Sequence, residues 1–145
     1  MPLHLVKLCV GADSIEDLRA WQAERLRDMK KSGKKPELFH RTYQTPKRAD
    51  ELLGGGSLYW VIKGIIQVRQ PLTGFREGTK DDGKPCCLLM LANRLVPVRP
   101  QPRRAFQGWR YLSAEDAPPD LKPGEQAITD LPPRMRKELA DLGLI

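Results

Sequence analysis

Residues 57–70 carry the longest alternating pattern of this chain, with the sequence SLYWVIKGIIQVRQ. The even positions are apolar apart from a glycine, and they are Leu58, Trp60, Ile62, Gly64, Ile66 and Val68. The odd positions are mixed, and they are Tyr59, Val61, Lys63, Ile65, Gln67 and Arg69. Alternation of this kind predicts one long, half-buried antiparallel strand, with Gly64 marking a bulge or bend. The apolar side chains of the even face must be buried, and in a protein with a β-sheet they are buried against other strands or helices.

Four other segments read as strands. Residues 4–10 and residues 86–91 are apolar on both faces, which is typical of buried strands, and the second is expected near the centre of the sheet. Residues 38–43 and residues 106–112 predict shorter strands. Asp82-Gly83 is a turn signal that closes a hairpin between residues 75–84 and the next strand.

Capping signals predict three helices. Asp13 or Ser14 caps the first, because Asp13 with Glu16 and Ser14 with Asp17 both have capping-box spacing. Thr45 caps the second, with Pro46 at its first position and Gly54 past its end. A last helix begins after Asp130. The expected fold is therefore α+β: a single domain over residues 1–145, with a mixed, mainly antiparallel sheet of five or six strands and helices near both ends.

Composition limits the class of protein. The chain has 145 residues, of which 40% are hydrophobic and 30% charged, and these proportions are typical of a globular domain. No stretch approaches the roughly 20 apolar residues of a membrane helix. The apolar start is short and is interrupted by Lys7, unlike a secretory signal. Three cysteines, two of them adjacent, fit a reducing compartment, so we expect a cytoplasmic protein without membrane contact.

Positive charge is concentrated in the middle of the chain. The net charge is +7, and residues 54–112 hold 10 cations and 3 acids. Residues 83–114 hold no acid and six cations: Lys84, Arg94, Arg99, Arg103, Arg104 and Arg110. Because like charges repel unless an acidic group meets them, this segment predicts an anionic partner.

Nucleic acid, RNA above all, is the partner that these residues favour. Arginine and lysine contact phosphates, and single-stranded bases stack on aromatic rings and guanidinium planes. We expect Lys63, Arg69, Arg94, Arg99, Arg103 and Arg104 to contact phosphates and Tyr59 and Trp109 to stack on bases. Arg41, Lys47, Arg48 and Arg110 complete the predicted set. A core position for Trp109 or Tyr111 is an alternative, and Trp60 is expected in the core.

Two other functions stay open. In a protein-interaction module, the proline–arginine stretch at residues 96–104 docks an acidic partner. In a small enzyme acting on a nucleotide or phosphorylated compound, His40 is the acid–base, and Arg41, Lys47 and Arg48 hold phosphate. Catalysis is the less favoured reading, because no motif specifies a reaction.

No cofactor or metal is expected. The two histidines and three cysteines lack the regular spacing of a zinc site. Glycines 54–56 stand in the order helix, glycines, strand, whereas a phosphate-binding loop requires strand, glycines, helix. We interpret them as a helix stop and a flexible entry to the strand.

Several motifs resemble a bacterial family of unknown function, number 1489. They are HRT at residues 40–42, PKRADELLGGGSLYWVIKG at 46–64, VRQ at 68–70, HLVKL at 4–8 and DLPP at 130–133. The resemblance extends over nearly the whole chain and implies no activity. A second resemblance, at the level of the fold, is to PUA-like barrels such as the ASCH and EVE domains, which implies RNA or a modified base as ligand.

Overall fold

The computed structural model describes residues 2–121. Its strands are β1 His4–Leu8, β2 Leu38–Thr42, β3 Ser57–Ile62, β4 Ile65–Thr79, β5 Pro85–Leu91, β6 Val96–Pro102 and β7 Trp109–Leu112. Its helices are α1 Ile15–Lys31 and α2 Ala49–Leu52. The helix expected after Asp130 lies outside the described residues.

The strands form a mixed, mostly antiparallel open sheet. Its order is β2-β5-β4-β3-β1-β7, and β6 pairs with β4 beside this path. Only the β1–β3 pair is parallel within the described part of the chain. The α+β prediction is confirmed, and residues 2–121 alone contain seven strands, compared with the five or six expected.

The single long strand expected over residues 57–70 is wrong, because the segment is a hairpin. Lys63 and Gly64 both have positive φ, 52° and 78°, and reverse the chain so that Ile62 pairs with Ile65. Two left-handed residues give the turn that matches the twist of paired strands. Apolar side chains continue on both sides of this Lys-Gly turn, so the sequence pattern runs through it without a break.

β4 is the axis of the sheet. β3 pairs with one edge of the first half of β4. On the opposite edge, β6 pairs with the first half and β5 with the second half. The proline–arginine stretch is therefore a strand of the sheet. Its outer side is also bonded, since the Arg99 amide donates to the Pro119 carbonyl at 2.9 Å. The hairpin turn expected at Asp82-Gly83 is confirmed between β4 and β5, with a φ of 81° at Gly83.

Apolar side chains are buried on both faces of the central strands. On the inner face, Leu5, Leu58 and Trp60 pack with Ile15 and Leu18 of α1 and with side chains of β2 and β5. The outer-face cluster is smaller and consists of Val6, Tyr59, Val61, Ile66, Val98 and Leu112. Each fully buried leucine or isoleucine contributes about 1.5–3 kcal/mol of transfer free energy.

The predicted N-terminal cap is confirmed for one of the two described helices and is wrong for the other. Ser14 caps α1, and its hydroxyl accepts from the Asp17 amide at 3.2 Å. Thr45 does not cap α2, which is one turn long and begins after Arg48 without a side-chain cap. Gly56 is needed for space: a methyl group there would run into the carbonyl oxygens of Leu3 and Leu52. Gly56 thus allows close backbone packing at the start of β3, which differs from the flexible entry expected.

Candidate nucleic-acid interface

Two arginines converge on one phenylalanine at the end of the sheet. The Cζ atoms of Arg103 and Arg110 lie 5.4 Å and 5.3 Å from the centre of the Phe106 ring. Both distances are within the range of a cation–π contact. Phe106 is partly buried against the outer-face core, which holds its ring in place. No carboxylate among residues 2–121 forms a salt bridge with either arginine.

The β3–β4 turn brings a lysine beside this pair. The Arg103 amide donates to the Gly64 carbonyl at 2.9 Å, so Lys63 lies next to the segment that carries Arg103. Lys63 forms an ion pair with Asp13 at 2.8 Å, and both side chains are more than half exposed. Such a surface pair contributes about 0–1 kcal/mol, so a phosphate can displace the carboxylate. We call Lys63, Arg103, Phe106 and Arg110 the Phe106 cluster, and the exposed Arg104 follows Arg103 in the chain.

Arg69 lies in a different place and is neutralised. Its guanidinium donates to both carboxylate oxygens of Asp120, at 2.7 Å and 2.8 Å, and to the Ser57 hydroxyl at 3.0 Å. Hydrogen bonding from Arg69, with a smaller contribution from Arg94, lowers the pKa of Asp120. Arg69 is therefore paired with Asp120 and does not extend the Phe106 cluster.

The aromatic residues predicted to stack on bases serve the core. Tyr59 is only 4% exposed and packs edge-on against His4. Trp109 is half-buried, packs edge-on against Tyr111 and donates its indole N–H to the Gln44 carbonyl at 3.0 Å. Phe106, which the sequence reasoning missed, is the aromatic residue of the cluster. The missed signal is its position between Arg104 and Arg110.

The remaining predicted residues are spread over the surface. Arg41 and Lys47 are exposed at and after β2, and Arg99 is exposed on β6. Arg48 forms an ion pair with Glu51 and lies over the Tyr111 ring at 5.5 Å. The structure thus groups Lys63, Arg103 and Arg110 near Phe106, with the exposed Arg104 next to Arg103 in the chain.

Neither histidine belongs to this surface. Ring nitrogen Nδ1 of His4 accepts from the Ser57 amide at 3.0 Å, and burial lowers the pKa of His4. His40 packs edge-on against Trp60 on the inner face. The described residues contain no group of three or more potential metal ligands. None of the helices in this part of the chain is long and apolar enough to span a membrane.

A family model described as "Protein of unknown function (DUF1489)" matches residues 5–145. The chain belongs to the DUF1489 family. The match confirms the family resemblance carried by the motifs at residues 40–64. No curated protein and no solved structure matches the chain, and the PUA-like resemblance is not confirmed. Because the DUF1489 description assigns no activity, the function must be argued from geometry.

Proposed function

We propose that the Phe106 cluster binds the phosphate backbone of single-stranded nucleic acid, and of RNA in particular. The observation that carries this proposal is the pair of guanidinium groups, Arg103 and Arg110, against one fixed aromatic ring without a carboxylate partner in residues 2–121. Guanidinium groups bind phosphate through paired hydrogen bonds, and bases stack on their planes. The net charge of +7 would also attract a polyanion at long range.

The cluster suits an open strand better than a duplex. The groups of the cluster belong to a turn, a loop and a strand. The exposed face of α1 carries both acidic and basic side chains, among them Glu16, Arg19, Glu24 and Arg27. A helix that reads the major groove needs a basic face that fits into it. Single strands instead leave their bases free to stack on side chains.

The geometry gives less support to the enzymatic alternative. His40 and Arg41 are consecutive in β2, so their side chains point to opposite faces of the strand. Arg48 is paired with Glu51. We therefore do not propose phosphate chemistry at His40.

Binding can be measured by fluorescence anisotropy with a labelled oligouridylate. We expect affinity to fall at least tenfold between about 50 mM and about 200 mM salt, as phosphate contacts release counterions. The double variant Arg103→Ala/Arg110→Ala should bind more weakly and reduce the slope of log K against log salt by about 1.4, at about 0.7 for each phosphate contact to a single strand. The matched control, Arg19→Ala/Arg27→Ala, removes the same charge from α1 and should bind like the wild type.

Absence of binding at about 50 mM salt would refute the proposal. Equal losses in both double variants would also count against it, because they would assign binding to net charge alone. The acidic-protein alternative uses the same cations. A partner retained by the protein after nuclease treatment, and lost with Arg103→Ala/Arg110→Ala, would favour that alternative.

A further inference from the structure

A second candidate site lies under α1, away from the Phe106 cluster. A cavity of about 270 Å³ is lined by residues of the helix and of the inner face of the sheet. Most of its wall is apolar or aromatic, and the lining includes Leu18, Trp21, Leu38, Phe39, Trp60 and Leu91. Pockets with this composition and a few polar groups are typical of small-molecule sites.

A hydrogen-bond network holds the floor of the cavity. The Trp60 indole N–H donates to Gln70 Oε1 at 3.2 Å, and the Gln70 amide exchanges hydrogen bonds with Gln22 of α1 at 2.9 Å and 3.0 Å. Gln70 also donates to the Ala92 carbonyl at 2.8 Å. Gln70 therefore fixes the orientation of the Trp60 ring and also bonds α1 to the sheet through Gln22.

Two polar side chains line the cavity without a hydrogen-bond or ionic partner in residues 2–121. Lys7 is half-buried and stands beside Trp60 in the β1–β3 register. His40, on β2, also lines the cavity, and its ring lies 5.1 Å from the Trp60 ring, edge-on. The part of the lining described here contains no carboxylate. An ammonium group in such a setting is costly unless an anion accompanies it.

The charged side chains that line the cavity, Lys7 and Arg25, are both cations. Burial, together with the charges of Lys7 and Arg25, lowers the pKa of His40 to about 4. At neutral pH His40 is then an uncharged imidazole with one N–H donor. Arg25 stands at the edge of the cavity, where it donates to the Phe39 carbonyl at 2.9 Å and lies over the Phe39 ring.

We propose that this cavity binds a small aromatic carboxylate. The Lys7 ammonium and the His40 N–H donate to its carboxylate, and its ring packs beside Trp60 between the helix and the sheet. The volume limits the ligand to a compact molecule, and the two donor groups of Lys7 and His40 suit the two oxygens of one carboxylate. This inference does not depend on nucleic-acid binding at the Phe106 cluster.

The test is a titration of the full chain with 1-naphthoate, indole-3-carboxylate and benzoate. Binding is monitored by tryptophan fluorescence and by protein NMR. The matched carboxamides keep the ring and remove the charge. We expect at least one carboxylate to bind with a Kd below about 1 mM, and its carboxamide to bind at least tenfold more weakly. No saturable binding by any of the three carboxylates would overturn the proposal.

Substitutions locate the binding site. Lys7→Gln and His40→Asn should each weaken carboxylate binding about tenfold. Lys7→Gln removes the positive charge, and the shorter side chain of His40→Asn moves the N–H donor away from the carboxylate. Lys7→Arg keeps the charge and should retain binding. Lys30→Gln, at an exposed position near the end of α1, is the control and should have no effect. Equal binding by Lys7→Gln and the wild type would overturn the proposal.

Alkylation of Cys9 gives an independent measurement. This thiol lines the cavity, and burial, with a smaller effect of Asp17, raises its pKa to about 11. Cys86 and Cys87 are buried. Bound carboxylate should slow the reaction of Cys9 with iodoacetamide in the wild type, and the same protection of Lys7→Gln should need about ten times more ligand. Equal protection in both proteins would place the ligand outside the contact with Lys7.

Discussion

At the scale of single residues, both histidines are held in the neutral form by their surroundings. Burial is the largest cause of the lowered pKa at His4 and at His40. For His40, the positive charges come from Lys7 on β1 and Arg25 on α1. A histidine that protonates less readily in the folded state favours unfolding at acid pH, because the unfolded chain then binds more protons.

Replacing His40 by Asn should therefore reduce the sensitivity of the protein to acid. In the wild type, the free energy of unfolding should be highest above pH 6.5, the usual pKa of histidine, and fall as pH decreases towards about 4. The His40 contribution to this fall is about 2–3 kcal/mol. Urea unfolding at several pH values measures it, with Lys30→Gln as the control. The same loss in His40→Asn and the wild type would contradict the argument.

At the scale of the elements, Gln70 joins four parts of the fold. Its side chain contacts Trp60 of β3, Gln22 of α1 and the carbonyl of Ala92 after β5, and Gln70 itself belongs to β4. The residue is completely buried. Buried polar groups that lose their partners cost more free energy than the hydrogen bonds contribute when present.

Gln70→Leu should destabilise the protein by about 3 kcal/mol. The substitution leaves the Trp60 indole N–H and the Ala92 carbonyl without a partner, at about 1–3 kcal/mol for each group. Gln22→Ala is the comparison, because Gln22 is less buried and its loss leaves Gln70 bonded to Trp60 and Ala92. Urea unfolding should show the larger loss for Gln70→Leu. Equal losses in the two variants would mean that the network does not act as a junction.

At the scale of the whole molecule, aromatic side chains connect the two edges of the sheet. β2 and β7 are the outermost strands of the sheet order. The Trp109 indole nevertheless donates to the carbonyl of Gln44, just after β2, and the Tyr111 hydroxyl accepts from the Arg48 amide at 3.2 Å. The sheet therefore curls until its edges are linked by side chains, without a hydrogen-bonded strand pair between them.

Trp109→Phe should loosen this link while keeping most of the buried ring area. The lost hydrogen bond is worth about 1 kcal/mol, which corresponds to about fivefold faster local opening. Hydrogen exchange of the amides in residues 43–48 measures the effect. Trp21→Phe, an exposed position on α1, should leave these amides unchanged. Exchange that is unaltered by Trp109→Phe would show that the link does not hold the edges together.

Local patterns were sufficient for the elements that depend on neighbouring residues. The strands β1, β2 and β5, the cap at Ser14, the turn at Gly83 and the mixed antiparallel class all follow from periodicity and turn chemistry. Periodicity records only the alternation of side chains along the backbone. It could not reveal that Lys63-Gly64 reverses the chain, because the alternation continues on both sides of that turn.

The sequence by itself determined the amount of positive charge, the family motifs and the elements with local signals. Only the tertiary structure decided which charges are available. It pairs Arg69 with Asp120, buries Tyr59, groups Arg103 and Arg110 around Phe106, and places Lys7 and His40 at one cavity. The physical reason is that ionic compensation and burial depend on residues far apart in the chain. Arg69 and Asp120, 51 positions apart, meet only after the sheet has formed.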